Sequence, residues 1–150
     1  MTDSLYRELQ LGETAASRIS VNLESEFSSF INLKDELFKG IALDIAVVSG
    51  ISGDWKTSLI FTKKLLDLND ARPEVKLWNI RTLLELENYA DVLPLVARQR
   101  WDSQILIHID YFMALTYEGL NMKQQARQKL QSVARRNASY RDVAQRLLNY

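Results

Sequence analysis

Apolar residues recur three and four positions apart along most of this chain, and short polar stretches interrupt the pattern at intervals. This period places side chains on one face of an α-helix. Only 2 prolines and 5 glycines are present to break helices. The segment IALDIAVV, residues 41–48, also suits a short buried strand, but Asp44 in its middle and the lack of a nearby pairing segment favour a helix. We therefore predict an all-α protein.

The helical pattern breaks and restarts at three evenly spaced places. Gly53 in SGDWKTS, Glu87 in LENYADV and Asn121 in EGLNMKQ each stand 34 residues from the next. A fixed period of this length is typical of proteins built from stacked repeats. Seven positions before each break stands a small or apolar residue: Ala46, Ile80 and Ala114.

These features resemble the tetratricopeptide repeat, whose unit is a helix–turn–helix of about 34 residues with small residues where its helices cross. The third unit fits best. Its small, aromatic and apolar positions hold Ala114, Tyr117, Leu120, Ala126, Leu130 and Val133. Gly53 keeps the glycine that is usual at the family's turn, whereas Glu87 and Asn121 replace it. The family's proline at the end of the second helix is missing from all three units, although Pro73 occupies a position that suits the start of a helix.

The resemblance implies a right-handed α-solenoid of antiparallel helix pairs. Its expected parts are helix pairs at residues 39–72, 73–106 and 107–140 and a capping helix at residues 141–150. The apolar side of the cap is expected to hold Tyr140, Val143, Ala144, Leu147 and Leu148. Residues 1–38 fall outside the resemblance. An amphipathic helix at residues 13–31 is expected to cap the solenoid, or else to dock a partner or a second copy.

In this family the first helices of the pairs line a concave groove that binds other proteins. The implied groove positions are Leu43, Val47, Gly50, Leu77, Trp78, Arg81, Leu84, His108, Tyr111, Phe112, Leu115 and Glu118. This mostly apolar and aromatic lining suits a partner helix or an extended segment. Some co-chaperone repeats grip an acidic C-terminus with lysine, arginine and asparagine, but the matching positions here are Leu43, Val47, Trp78, His108 and Phe112. A carboxylate clamp is therefore not expected. The alternative for each groove residue is burial against a neighbouring helix.

The charge is balanced overall, with 19 basic and 19 acidic residues, but unevenly distributed. Residues 1–44 carry 4 basic and 8 acidic groups, net −4, whereas residues 121–150 carry 7 basic and 1 acidic, net +6. The candidate basic patch comprises Lys123, Arg127, Lys129, Arg135, Arg136, Arg141 and Arg146. Nucleic acid or an anionic surface is a possible ligand. Positive charge near a helix end and an acidic partner, including a second copy, are favoured explanations.

Little in the chain indicates catalysis. Without cysteine there is no disulfide and no thiolate chemistry. His108 is the one histidine, and no second imidazole exists to complete a metal set. GISGDWKT lacks the ending of a phosphate-binding loop. We expect no enzyme activity, no cofactor and no metal.

The expected location is the cytoplasm. No apolar run approaches the length of a membrane span, and Asp3 and Glu8 stand where a secretory signal would begin with basic residues. The stretch YRDVAQRL resembles bacterial members of the family, which serve in secretion, pilus and motility assemblies. The implied function is a non-catalytic adaptor or scaffold for proteins. The alternative is a small secretion-type chaperone that shields an aggregation-prone subunit.

Overall fold

The computed structural model describes residues 34–150, and in this part of the chain the regular structure is helical, without a β-strand. The all-α prediction is confirmed for these residues, and residues 41–48 form a helix rather than a strand. The helices are α1 (residues 34–51), α2 (Trp55–Asp67), α3 (Pro73–Glu85), α4 (Tyr89–Ala97), α5 (Leu106–Gly119), α6 (Lys123–Arg136) and α7 (Val143–Leu147). The chain divides into the units Met1–Ile41 and Ala42–Tyr150, and the contacts discussed below lie within the second. The amphipathic helix expected at residues 13–31 lies outside the described residues.

One type of turn joins α1 to α2, α3 to α4 and α5 to α6. Gly53, Glu87 and Asn121 adopt left-handed φ angles of 88°, 58° and 59°. In each turn this residue's N–H donates to the carbonyl three residues earlier at 3.0 Å, and the next N–H donates to the carbonyl five residues earlier at 2.8 Å. This is the Schellman ending of a helix. The three breaks in the sequence, 34 residues apart, are therefore three copies of one backbone structure.

Consecutive helices from α2 to α7 pack against one another, and α3 also packs against α5. Helix α3 reaches α1 as well, because the indole Nε1 of Trp78 donates a hydrogen bond to the carbonyl oxygen of Ala46. The second helices behave differently: in the part of the chain described, α4 packs against neither α2 nor α6. The first helices α1, α3 and α5 therefore lie next to each other.

The main apolar core joins α3, α4, α5, α6 and α7. Ala114 on α5 and Ala126 on α6 are fully buried, which lets these two helices approach closely. The α2–α3 interface is more polar. There Ser58, Thr62, Asn79 and Thr82 are buried and joined by side-chain hydrogen bonds.

The last helix is shorter than the capping helix predicted at residues 141–150. It covers Val143–Leu147, because Arg141 adopts a left-handed φ of 46° and breaks the helical path. Val143 is buried and packs on the core as expected. The inward placement of Ala144 and Leu148 was wrong, since both are exposed, Leu148 by 86%. A helix of little more than one turn has only a narrow side to bury.

Candidate partner-binding site

The predicted groove residues lie on the adjacent helices α1, α3 and α5 and differ in burial. Half-buried are Leu43, Val47, Leu77, Trp78, Arg81, Leu84, His108, Leu115 and Glu118. Gly50 is buried beneath the rings of Trp55 and Trp78. Tyr111 and Phe112 are also buried, each only 5% exposed. Their assignment to an open groove was wrong.

The chain's own residues 140–142 cover Tyr111 and Phe112. The Tyr111 hydroxyl donates to the Asp142 carboxylate at 2.6 Å. The Arg141 guanidinium lies 5.0 Å from the centre of the Tyr111 ring and 5.5 Å from that of Phe112. Burial raises the pKa of Tyr111, and the Asp142 carboxylate beside it acts in the same direction. These two aromatics therefore attach the C-terminal segment to α5.

His108 belongs to the same covered region. Its Nδ1 atom is hydrogen-bonded to the Tyr140 hydroxyl, and the two rings meet edge to face with centres 5.4 Å apart. Burial lowers the pKa of His108, and the positive charge of Arg141 lowers it further. At neutral pH the imidazole is therefore uncharged and serves as a packing and hydrogen-bonding group.

Trp78 is fixed in place by hydrogen bonds. Its Nε1 also donates to the Ser58 hydroxyl at 2.9 Å, and Ser58 is paired with the Thr82 hydroxyl at 3.1 Å. The Thr82 hydroxyl donates its hydrogen to the Trp78 carbonyl at 2.7 Å, so Ser58 is the donor to Thr82. This closed network holds the indole rigidly on α3 and leaves each of its polar atoms with a partner.

Arg81 lies beside this indole and is stacked between two rings. Its guanidinium carbon is 5.0 Å from the centre of the Trp78 ring and 5.6 Å from that of Trp55. Its side chain is 41% exposed, and its Nε lies 3.9 Å from the Glu85 carboxylate. Tryptophan and arginine in this arrangement are the residue types that dominate protein–protein binding energy.

A pocket of about 270 Å³ opens where α3 and α5 lie side by side. Leu84 and Leu115 form its apolar walls, and its remaining lining residues are Glu85, Tyr89, Glu118, Gly119 and Arg146. The Tyr89 ring lies so close to Gly119 that a Cβ atom there would overlap the ring. Glycine at this point therefore gives Tyr89 its place in the pocket.

The C-terminal segment closes one side of this pocket. Arg146 Nη1 lies 2.5 Å from Glu118 Oε2, and its Nε donates to Asp142 Oδ2 at 2.9 Å. The Tyr150 hydroxyl donates to the other oxygen of Glu118 at 2.9 Å. Burial and the Glu118 carboxylate raise the pKa of Tyr150 to about 12. Burial works to raise the pKa of Asp142, but the Tyr111 hydroxyl and Arg146 outweigh it and lower this pKa.

The basic residues of the C-terminal end are partly engaged in contacts within the chain. The Asp110 carboxylate on α5 accepts from Lys129 Nζ at 2.7 Å and from the Ser132 hydroxyl at 3.0 Å, and Arg136 lies 3.8 Å away. Arg141 and Arg146 are used as described above. Fully on the surface remain Lys123, Arg127 and Arg135. The basic patch is therefore smaller than the sequence indicates.

Three residues of the pocket escaped the sequence-based prediction. Glu85 and Gly119 stand at the same position of successive units, 34 residues apart, next to the last predicted groove position of each unit. Tyr89 was assigned to bracing its own turn, whereas it also contacts α5 of the following pair. The glycine just ahead of the third turn was the available signal.

Comparisons with protein-family models, with curated proteins and with solved structures found no match for this chain. In the described part, no helix has the length and apolar character needed to cross a membrane.

Proposed function

We propose that the chain is a tetratricopeptide-like solenoid that acts as a non-catalytic adaptor and holds a segment of another protein against α3 and α5. The observation that carries this proposal is the adjacency of the first helices α1, α3 and α5. It places the pocket beside Leu84 and Leu115 on the same side as the Arg81 stack.

The repeated turn supports the solenoid. Three Schellman endings at one fixed spacing restart the chain in the same way after each first helix. Repetition of one local geometry leads to regular stacking, because each unit then presents the same face to the next.

The lining supports a polypeptide ligand. A rigid tryptophan, a stacked arginine and two leucines combine apolar area with fixed polar groups, as protein-binding surfaces do. Because Tyr111 and Phe112 are covered, the proposed site is limited to residues of α3 and of the C-terminal half of α5, which are Leu77, Trp78, Arg81, Leu84, Glu85, Leu115 and Glu118.

Site-specific photo-crosslinking tests this function. A photoreactive amino acid is placed at Glu85, on the rim of the pocket, and in a matched variant at Lys63, an exposed residue of α2. The expected result is a discrete protein adduct from position 85 in the native cell and none from position 63.

Two other outcomes decide between alternatives. Adducts of equal yield from both positions, or none from position 85, would overturn the adaptor proposal. An adduct with a small protein that is insoluble when this chain is removed would identify the secretion-type chaperone instead.

A further inference from the structure

We infer that the pocket between α3 and α5 receives a basic side chain, arginine or lysine, from the partner segment. This inference rests on the proposed function and specifies the chemistry of the partner. It reverses the charge of the carboxylate clamp that the sequence already disfavours.

The first support is the shape and lining of the pocket. Leu84, Leu115 and the Tyr89 ring supply apolar walls in a space of about 270 Å³. Long basic side chains carry an aliphatic stem and a charged tip, so they pack their stems on apolar walls and keep the charge at the rim. An aromatic face beside the cation adds to the attraction.

The second support is the charge at the rim. The carboxylates are those of Glu85, Glu118 and Asp142, and the cations are those of Arg81 and Arg146. Arg146 is shared between two of the carboxylates. The site as a whole therefore carries one excess negative charge, which a single cation complements.

The third support is the looseness of Glu85. Its side chain is 45% exposed, and its ion pair with Arg81 is long, at 3.9 Å. Stacking on two indole rings holds the Arg81 guanidinium, so it is not free to move onto Glu85. Arg146 meanwhile demonstrates that a guanidinium fits beside Glu118. Glu85 is thus the carboxylate open to a partner's cation.

A titration followed by NMR of the leucine methyl groups tests the inference on the full chain. The probes are N-acetyl-arginine amide and N-acetyl-citrulline amide, which share shape and differ in charge. Saturable shifts at Leu84 and Leu115 are expected with the arginine probe. They should be weaker by about fivefold or more in apparent affinity with citrulline, the factor of an exposed charge pair.

The matched variants are Glu85→Gln and Glu74→Gln, both at exposed positions on α3. Only Glu85→Gln should weaken arginine binding, again by about fivefold. Equal binding of the two probes, equal effects of the two variants, or shifts confined to Leu59 on α2 would overturn the inference. If crosslinking at position 85 captures a protein while the arginine probe fails, the adaptor role stands and the cation preference is wrong. If the probe binds while no protein is captured, the reverse holds.

Discussion

Tyr111 carries one of the contacts that attach the C-terminal segment to the rest of the molecule. Its ring is buried, and its hydroxyl is bonded to Asp142 at 2.6 Å. Replacement by phenylalanine keeps the ring and removes this bond. We expect the free energy of unfolding to fall by about 1–2 kcal/mol, because the bond is made to a charged group that is itself partly solvated.

Urea denaturation of Tyr111→Phe measures this loss. The matched control is Tyr117→Phe, since within residues 34–150 the Tyr117 hydroxyl makes no side-chain hydrogen bond. Its stability should remain unchanged. Equal stability of both variants and the parent protein would show that the Tyr111–Asp142 bond contributes nothing.

His108 predicts a dependence of stability on pH. Its pKa in the folded chain lies below the ordinary value of 6.5, because of burial and Arg141. The unfolded chain therefore takes up the proton first, and the free energy of unfolding falls as the pH drops below about 6.5. The lowered pKa of Asp142 matters only below its ordinary value of 3.8, outside this window.

The measurement is urea denaturation at about pH 7.5 and about pH 5.5, for the parent chain and for His108→Gln. Since the chain has a single histidine, the variant should lose most of the pH dependence between these values. The same slope in both proteins would contradict the role assigned to His108.

The residue scale also shows where sequence reasoning stopped. The periodicity placed Tyr111 and Phe112 on the groove side of α5, but it could not place the segment that follows Asn137. That segment covers both rings only because Arg141 breaks the helix and returns the chain to α5. Burial by a distant part of the chain leaves no local pattern.

At the scale of elements, the three turns follow from local chemistry and were readable in the sequence. Glycine and asparagine tolerate the left-handed conformation, and the fixed spacing pointed to Glu87 at the third place. The helices between the turns follow from their apolar period. The end of the last helix was misjudged, because Tyr140, Ala144 and Leu148 continue a helical pattern that the backbone at Arg141 interrupts.

The turn at Glu87 gives a prediction of its own. A glutamate at a φ of 58° is strained, so Glu87→Gly should raise the free energy of unfolding by about 0.5–1 kcal/mol. The opposite change, Gly53→Ala at a φ of 88°, should lower it by about 1–2 kcal/mol. Thermal or urea unfolding measures both. Effects of the same sign in the two variants would argue against one shared turn.

Gly119 tests the contact that shapes the pocket. Alanine usually stabilises a helix relative to glycine by about 1 kcal/mol, and Gly40→Ala, where a Cβ meets no atom within 4 Å, should show this gain. At Gly119 a Cβ overlaps the Tyr89 ring, so Gly119→Ala should lower stability despite the higher helix propensity. A gain in both variants would mean that Tyr89 moves aside without cost.

At the scale of the whole molecule, the distribution of charge is altered by folding. The excess of basic residues in 121–150 meets acidic residues of α5, since Asp110 binds Lys129 and Glu118 binds Arg146. This pairing leaves a smaller basic surface than the linear count indicates and favours the pocket between α3 and α5 over the C-terminal end as the functional surface. The pairing across α5, α6 and α7 depends on tertiary contacts, so composition alone could not foresee it.

Hydrogen–deuterium exchange of the chain with and without the captured partner tests the central claim most directly. Peptides covering residues 81–89 and 112–119 should be protected by the partner, with little change in Trp55–Asp67 and Lys123–Arg136. Protection concentrated in Lys123–Arg136, with none between residues 81 and 89, would contradict the account and assign binding to the basic end.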